Sequence, residues 1–334
     1  MKTYERGQTR VLQHSSAALR NNALGDPADR DLYCYLPPGY EHSNDRYPVI
    51  YWLSGFTGSG RMMFNADGWI ESLDRRLDRL IGSGAMPPAI CVLPDCFTRL
   101  GGSQYVDSTA TGNYETYIVG ELVPFVDAQL RTNSGRDHRG ISGKSSGGYG
   151  ALRLAMRHPD VFAALGSHAG DAYFAYCYLP DFPTFVMGVQ KAGGVEAFFR
   201  EFEALPKKTN EAVEVLNILA MAACYSPNPS APLGIDLPVR LPSGEIDPAV
   251  WKRWEANDPV HMAREHAGAL RSLKLIYLDA GSRDEFNLHI GARIFTSRLD
   301  ELGIPYVYEE FDDTHMGIAY RYDRSFCELA RVLT

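Results

Sequence analysis

Chemistry in this chain is most legible at Gly143-Lys144-Ser145-Ser146-Gly147, followed at once by Gly148-Tyr149-Gly150-Ala151-Leu152. The run reads G-x-S-x-G. Arg139-Gly140-Ile141-Ser142 upstream has the character of a strand end. Ala151, Leu152, Leu154, Ala155 and Met156 downstream are helix formers, and Pro159 stops the run. A serine on a sharp strand-to-helix turn projects its hydroxyl clear of the sheet, and flanking glycines allow the close backbone approach. The positive end of the following helix favours developing negative charge there. Ser145 is therefore the candidate nucleophile.

The same letters contain Gly143-Lys144-Ser145, the G-K-S end of a phosphate-binding loop, and Leu275-Ile276-Tyr277-Leu278-Asp279 would pass as a strand ending in a metal-binding aspartate. That pattern needs a glycine five residues before Gly143, where His138 stands. The strand also runs up to Ser142, which leaves no long loop to wrap phosphates.

A serine hydroxyl needs a base, and the base needs an orienting acid. In open parallel sheets ligands bind at the carboxyl ends of the strands, so the partners belong in loops after later strands, in the order serine, acid, histidine. Of the nine histidines, His315 in Asp312-Asp313-Thr314-His315-Met316-Gly317 meets both position and order. His168 also follows a strand and is its main competitor, but it precedes every later acid. His158 before Pro159 reads as a helix cap. His261 and His266 are five apart, off the face that a zinc-binding helix needs. Asp284, on the loop after a strand, is preferred as the acid to Asp279 at the strand end and to Glu285. Arg283 is expected to face solvent or pair locally, and Lys144 to be surface-exposed. Oxyanion donors are expected from the N–H of Ser146 and, in Leu53-Ser54-Gly55-Phe56-Thr57-Gly58, from Phe56, with Thr57 next.

These groups have to be carried by a scaffold. Strands are expected near 9–16 and 31–36, over Pro48 to Leu53, Ala89 to Leu93, His138 to Ser142, Ala163 to Ser167, Leu273 to Leu278 and Tyr306 to Phe311. Helices are expected over Trp69 to Ile81, Tyr114 to Leu130 with Asn113 as cap, Leu288 to Leu302 and Ser325 to Val332. Alternation of this kind implies a mostly parallel sheet with helices on both faces, in a single domain over 1–334. From 171 to 262 the alternation fails and no clear strand is visible. Helical stretches, Gly194 to Leu205 and Asn210 to Ala223, are followed by a loop with Pro227, Pro229, Pro232, Pro238, Pro242 and Pro248. This block reads as an inserted lid or cap over the active face. Tyr149, Trp251 and Trp254 are the expected substrate contacts, with Tyr173 and Phe174 beside them; aromatic packing inside the insertion is the competing role.

Composition narrows the class. Apolar content of 45%, charged content of 22% and a net charge of −8 without a basic cluster fit a globular protein and argue against nucleic-acid or anionic-membrane partners. The N-terminus lacks the apolar core of a signal peptide and no segment has transmembrane length, so a cytoplasmic location is expected. The six cysteines make no C-x-x-C pair, so neither zinc nor a disulfide framework is expected. Oligomerisation is left open, with a homo-oligomer as one possibility.

Tyr51-Trp52-Leu53-Ser54-Gly55-Phe56-Thr57, the Gly143–Leu152 elbow, His158-Pro159-Asp160-Val161-Phe162, Gly281-Ser282-Arg283-Asp284 and Thr314-His315 together resemble the esterase D-like branch of the α/β-hydrolases. That branch includes S-formylglutathione hydrolases, feruloyl and enterobactin esterases, and mycolyltransferases. The resemblance covers nearly the whole chain outside the insertion. It implies the α/β-hydrolase fold and serine ester hydrolysis of a small-molecule ester without cofactor or metal. It also implies a triad of Ser145, Asp284 and His315 and an oxyanion donor at Phe56. Gly58 stands where S-formylglutathione hydrolases usually carry cysteine, and Lys144-Ser145-Ser146 where they carry His-Ser-Met, so glutathione thioester specificity is not implied. An acyltransferase or thioesterase using the same groups is the alternative, and a non-catalytic binding protein on this fold is a third reading.

Overall fold

Val49-Ile50-Tyr51-Trp52-Leu53 is apolar at every position, and both faces of the strand are used. Val49, Tyr51 and Leu53 enter one core, while Ile50 and Trp52 enter the other. Ile90 and Val92 divide from Cys91 and Leu93 in the same way. A strand that reads apolar without alternation is one covered on both sides, because successive side chains point to opposite faces.

The computed structural model describes residues 4–231 and 233–334; Met1-Lys2-Thr3 and Pro232 of the proline-rich loop lie outside the described residues. The main sheet has eight strands: β1 (Gln8–Ser15), β2 (Asp29–Leu36), β3 (Val49–Leu53), β4 (Ile90–Pro94), β5 (Arg139–Lys144), β6 (Ala164–His168), β7 (Leu275–Gly281) and β8 (Val307–Phe311). Their spatial order is β1-β2-β4-β3-β5-β6-β7-β8. β1 and β2 are antiparallel, β2 runs antiparallel to β4, and every later pair is parallel. This is the α/β-hydrolase fold. One core packs the Ser146–Arg157 helix against the sheet through Leu152, Leu154 and Ala155. The opposite core packs the Leu73–Gly82 and Tyr322–Leu333 helices through Leu77, Leu80, Phe326 and Leu329.

Boundaries differ locally from the sequence reading. Trp69 is 99% exposed and precedes the first helix, which starts at Leu73. Asn113 makes no side-chain cap; Asp107 instead accepts from the N–H and hydroxyl of Thr116. The block between β6 and β7 is helical, as expected, but it also holds a small hairpin, Val239–Arg240 with Glu245–Ile246. Its apolar residues, among them Phe185, Leu219, Met221 and Trp254, share a core with Tyr149, Ala280, Leu288 and Ile318 from the sheet side.

Candidate active site

β5 delivers Ser145 into a turn that few residues tolerate. Its φ is 59° and ψ −126°, a left-handed conformation held only where the surroundings enforce it. The enforcement is local. A Cβ at Gly147 would lie 2.0 Å from the Leu53 carbonyl oxygen, and one at Gly143 would lie 2.5 Å from the Gly147 carbonyl carbon. The Ser145 N–H donates to the His168 carbonyl at 2.9 Å, and Tyr149 N–H donates to the Ser145 carbonyl at 2.9 Å. The elbow is thus pinned between β3, β6 and its own helix.

The partners arrive from β7 and β8. His315 Nε2 lies 3.1 Å from Ser145 Oγ, and His315 Nδ1 lies 2.7 Å from Asp284 Oδ2. Asp284 and His315 are buried. Asp284 is held in turn: its Oδ1 accepts from the N–H groups of Phe286 at 2.9 Å and Leu288 at 3.3 Å. The His315 N–H donates to Glu285 Oε2 at 2.8 Å, and the Phe286 ring stands edge-on to the imidazole. The two loops touch closely at Gly281, where a Cβ would meet the Asp313 carbonyl oxygen at 2.5 Å.

The loop after β3 lies against the elbow. A Cβ on Gly55 would sit 3.5 Å from Ser145 Cβ. Gly58 N–H closes onto the Gly55 carbonyl at 2.9 Å, leaving Phe56 and Thr57 at the corner of a turn. Among the described residues the Phe56 N–H has no protein acceptor. Ser146 heads its helix, where the first N–H groups lack intrahelical partners.

A cavity of about 350 Å³ opens over these groups, lined by the 54–59 loop, Lys144, Ser145, Ser146 and His315. Met62, Met63, Phe286 and Met316 give it an apolar side; Asp171, Tyr178, Asp181 and Asn217 from the insertion give it a polar one. Lys144, expected at the surface, instead lines this cavity with Met316 Sδ 3.7 Å from its ammonium. Burial pushes its pKa down to about 8, against the opposing charges of Asp284, Asp171 and Glu285.

Three expected substrate contacts are elsewhere. Tyr149 is fully buried, packed against Phe174 and Tyr225. Trp254 is fully buried, its indole N–H donating to Ser226 Oγ at 2.9 Å, and Trp251 lies tilted beside it and edge-on to Phe182. None of the three lines the cavity. Trp251 and Trp254 belong to the aromatic centre of the insertion, because their helical spacing turns both toward its core, and Tyr149 meets that centre from the sheet side. The competing histidine and acid pair with each other: His168 Nδ1 lies 2.7 Å from Asp279 Oδ1, away from Ser145. His158 Nε2 meets Glu115 at 2.7 Å, and Arg283 pairs with Asp312 at 3.0 Å on the surface. Among the described residues no cluster of three or more His, Cys, Asp or Glu could hold a metal. All six cysteines are free, and no described helix is long and apolar enough to cross a membrane.

The profile of the family described as "Putative esterase" matches residues 26–316. The chain belongs to this esterase family. Its similarity to curated relatives is regional. The Mycobacterium tuberculosis protein named Esterase Rv1288 is 34% identical over 138 residues, 41% of this chain and 28% of that one. An endo-1,4-beta-xylanase/feruloyl esterase of Xylanibacter ruminicola is 27% identical over 143 residues, 42% of this chain and 19% of that one. The chain therefore spans under a third of the length of these relatives. A solved ferulic acid esterase superposes with a TM-score of 0.65 at 20% identity, covering 99% of this chain and all of that one. An S-formylglutathione hydrolase from Agrobacterium tumefaciens gives 0.58 at 18%, covering 100% and 98%. At such identities these structures speak for the fold.

Several neighbours of Ser145 escaped the sequence reading. Its place in the sequence offers Glu285 only as a rival acid. Asp171, Tyr178, Asp181 and Asn217 sit in the irregular block, where no periodicity assigns a facing direction. The one available signal was Asp171 just past a strand end, the position that already marked Asp284.

Proposed function

We propose that this esterase is a serine carboxylic-ester hydrolase acting on small acyl esters through Ser145, His315 and Asp284. The observation that carries the reading is His315 bridging Ser145 Oγ and Asp284 at the floor of a cavity. Ser145 Oγ attacks the acyl carbon as its proton passes to His315 Nε2. The oxyanion that forms takes hydrogen bonds from the N–H groups of Phe56 and Ser146. Collapse breaks the bond to the leaving alcohol, which takes the proton from Nε2. Water then gives a proton to His315 and attacks the acyl-enzyme; collapse frees the acid and returns the proton to Ser145. Asp284 keeps the imidazole in the tautomer with Nδ1 protonated and stabilises the cation formed in each half-reaction. The 171–262 insertion acts as a cap, contributing Asp171, Tyr178 and Asp181 to one wall. Fluorophosphonate labelling and p-nitrophenyl acetate turnover test this together: both are expected in the native protein and absent in Ser145→Ala. Undiminished turnover in a clean Ser145→Ala preparation overturns it.

A further inference from the structure

The cavity wall supplied by the insertion carries two carboxylates, Asp171 and Asp181, that make no ion pair within 4.0 Å among the described residues; Asp171 feels the charges of Lys144 and His315 only across the cavity. Asp171 is 7% exposed and lines the cavity. Its Oδ2 accepts from Tyr178 at 2.8 Å and Gln104 Nε2 at 3.3 Å, while its Oδ1 has no protein donor among the described residues. Asp181 lines the same wall, and its carboxylate takes part in no hydrogen bond or ion pair among the described residues. The Glu214 charge lies near it. Asn217, the remaining polar group on this wall, is neutral. The cavity's basic side chain, Lys144, makes no ion pair within 4.0 Å with either aspartate, and its ammonium contacts Met316 instead.

Unpaired carboxylates in a partly dry site are costly, and a bound cation relieves the cost. A sugar or other neutral polyol would supply donors but leave the charge uncompensated. Resting on the ester-hydrolase reading above, we propose that the Asp171–Asp181 wall is a subsite for a positively charged group of the substrate, so that the preferred esters carry an amine or quaternary ammonium. The apolar side of the cavity, with Met62 and Met316, takes the remainder of the molecule. Burial raises the carboxyl pKa of Asp171, and burial with the Glu214 charge raises that of Asp181 to about 6, the direction in which poorly compensated carboxylates move.

The test reads a ratio. The p-nitrophenyl ester of 6-(trimethylammonio)hexanoate is compared with its uncharged carbon isostere and with the 6-hydroxyhexanoate ester. Choline butyrate is compared with 3,3-dimethylbutyl butyrate, which places the cation on the alcohol side. At pH 8 and low salt one cationic member is expected to exceed its isostere in kcat/KM by about tenfold, as a partly desolvated ion pair supplies. Asp181→Asn, which breaks no hydrogen bond, and Asp171→Asn are expected to bring the ratio toward one, and added salt to lower it. Ratios of one in both series, or a preference for the hydroxy ester, overturn the proposal. A separate arm does not depend on turnover. Hexyltrimethylammonium is titrated calorimetrically into Ser145→Ala protein and into the double variant Ser145→Ala, Asp181→Asn. Binding weakened by the second substitution supports the cation subsite even if the hydrolase reading fails, and equal or absent binding sinks it.

Discussion

Two histidine–aspartate pairs with a serine on the far nitrogen lie close together in this molecule. His315 joins Asp284 at 2.7 Å and Ser145 at 3.1 Å; His168 joins Asp279 at 2.7 Å and Ser325 at 2.7 Å. By distance alone the second set is the tighter triad. Its surroundings deny it chemistry. Ser325 is fully buried inside the Tyr322–Leu333 helix, and its hydroxyl also reaches the Tyr322 carbonyl. Ser325 lies at the end of the first turn of that helix, and the Phe326 N–H that follows it already serves a helical bond and cannot greet an oxyanion. Asp279 is shared with Tyr277 and Arg321, so its charge is already matched. Ser145 instead stands at a helix start, over a cavity, with the Phe56 N–H unused. A triad is made by its access and its oxyanion donors as much as by its hydrogen bonds.

The largest expected contrast separates the two serines. Ser145→Ala should lower kcat for p-nitrophenyl acetate by roughly a millionfold, the scale seen when the nucleophile of a serine hydrolase is removed. Ser325→Ala should leave kcat within about twofold and cost about 1 kcal/mol of stability, the net worth of a hydrogen bond. Steady-state kinetics beside urea melts reads both. A large kinetic loss in Ser325→Ala would break the distinction.

The aspartates should divide in the same sense. Asp284→Asn removes the charge that fixes the His315 tautomer, and a loss of about ten-thousandfold in kcat is expected with little change in melting. Asp279→Asn leaves Arg321 only its ion pair with Glu309 and weakens the bond to His168, and losing a hydrogen bond to a charged group costs about 1.5–3 kcal/mol. That variant should melt early yet retain most of its kcat per folded molecule.

How far the sequence distinguishes these sets is instructive. Ser145, Asp284 and His315 could be picked out as candidates, and their proximity anticipated, because backbone geometry writes itself into sequence: glycines where a Cβ would strike Leu53, loops after strands, a fixed chain order. His168 and Asp279 could be set aside as active-site partners by that order, but their mutual pairing was hidden, since lateral neighbours in β6 and β7 depend on strand register. The eight strands were legible from apolar runs. The insertion was visible only as a break in alternation, and the aromatics in it and beneath it misled. Tyr149, Trp251 and Trp254 have the composition of a pocket, but composition does not say which face of a helix is inward. Charged groups such as Asp171 and Lys144 carry no period at all, so their approach to the cavity is a tertiary fact.

Charge compensation sharpens the comparison further. Asp279 has Arg321 at 3.1 Å, whereas the nearest cation lining the Ser145 cavity, Lys144, is unpaired and held down to about pKa 8 by burial. A lysine whose folded pKa lies below its unfolded value near 10.5 opposes folding while charged. The penalty is full below about pH 8 and disappears as pH rises through the unfolded pKa. Lys144→Met should therefore stabilise the protein at pH 7 by about 1–2 kcal/mol, allowing for solvent at the cavity mouth, and the gain should fade toward pH 10.5. Melting temperatures across that range check the slope; a pH-independent difference would mean that packing, not charge, is responsible.

The smallest effect is expected at Glu285, which has no counterpart in the second set. The His168 N–H lies within the β6 ladder and needs no side-chain acceptor, while the His315 N–H belongs to a loop and is tied to Glu285 Oε2 at 2.8 Å. One such bond is worth about 1 kcal/mol, so Glu285→Ala should lower kcat about fivefold through a less settled imidazole. Glu285→Gln keeps an acceptor oxygen without the charge and should recover most of the loss. KM for a small neutral ester should hardly move in either variant, because the bond orients His315 and touches no substrate. If Gln and Ala are equally impaired, the carboxylate charge rather than the hydrogen bond supports His315, and the loop would then be tuned electrostatically, as Arg321 tunes its buried twin.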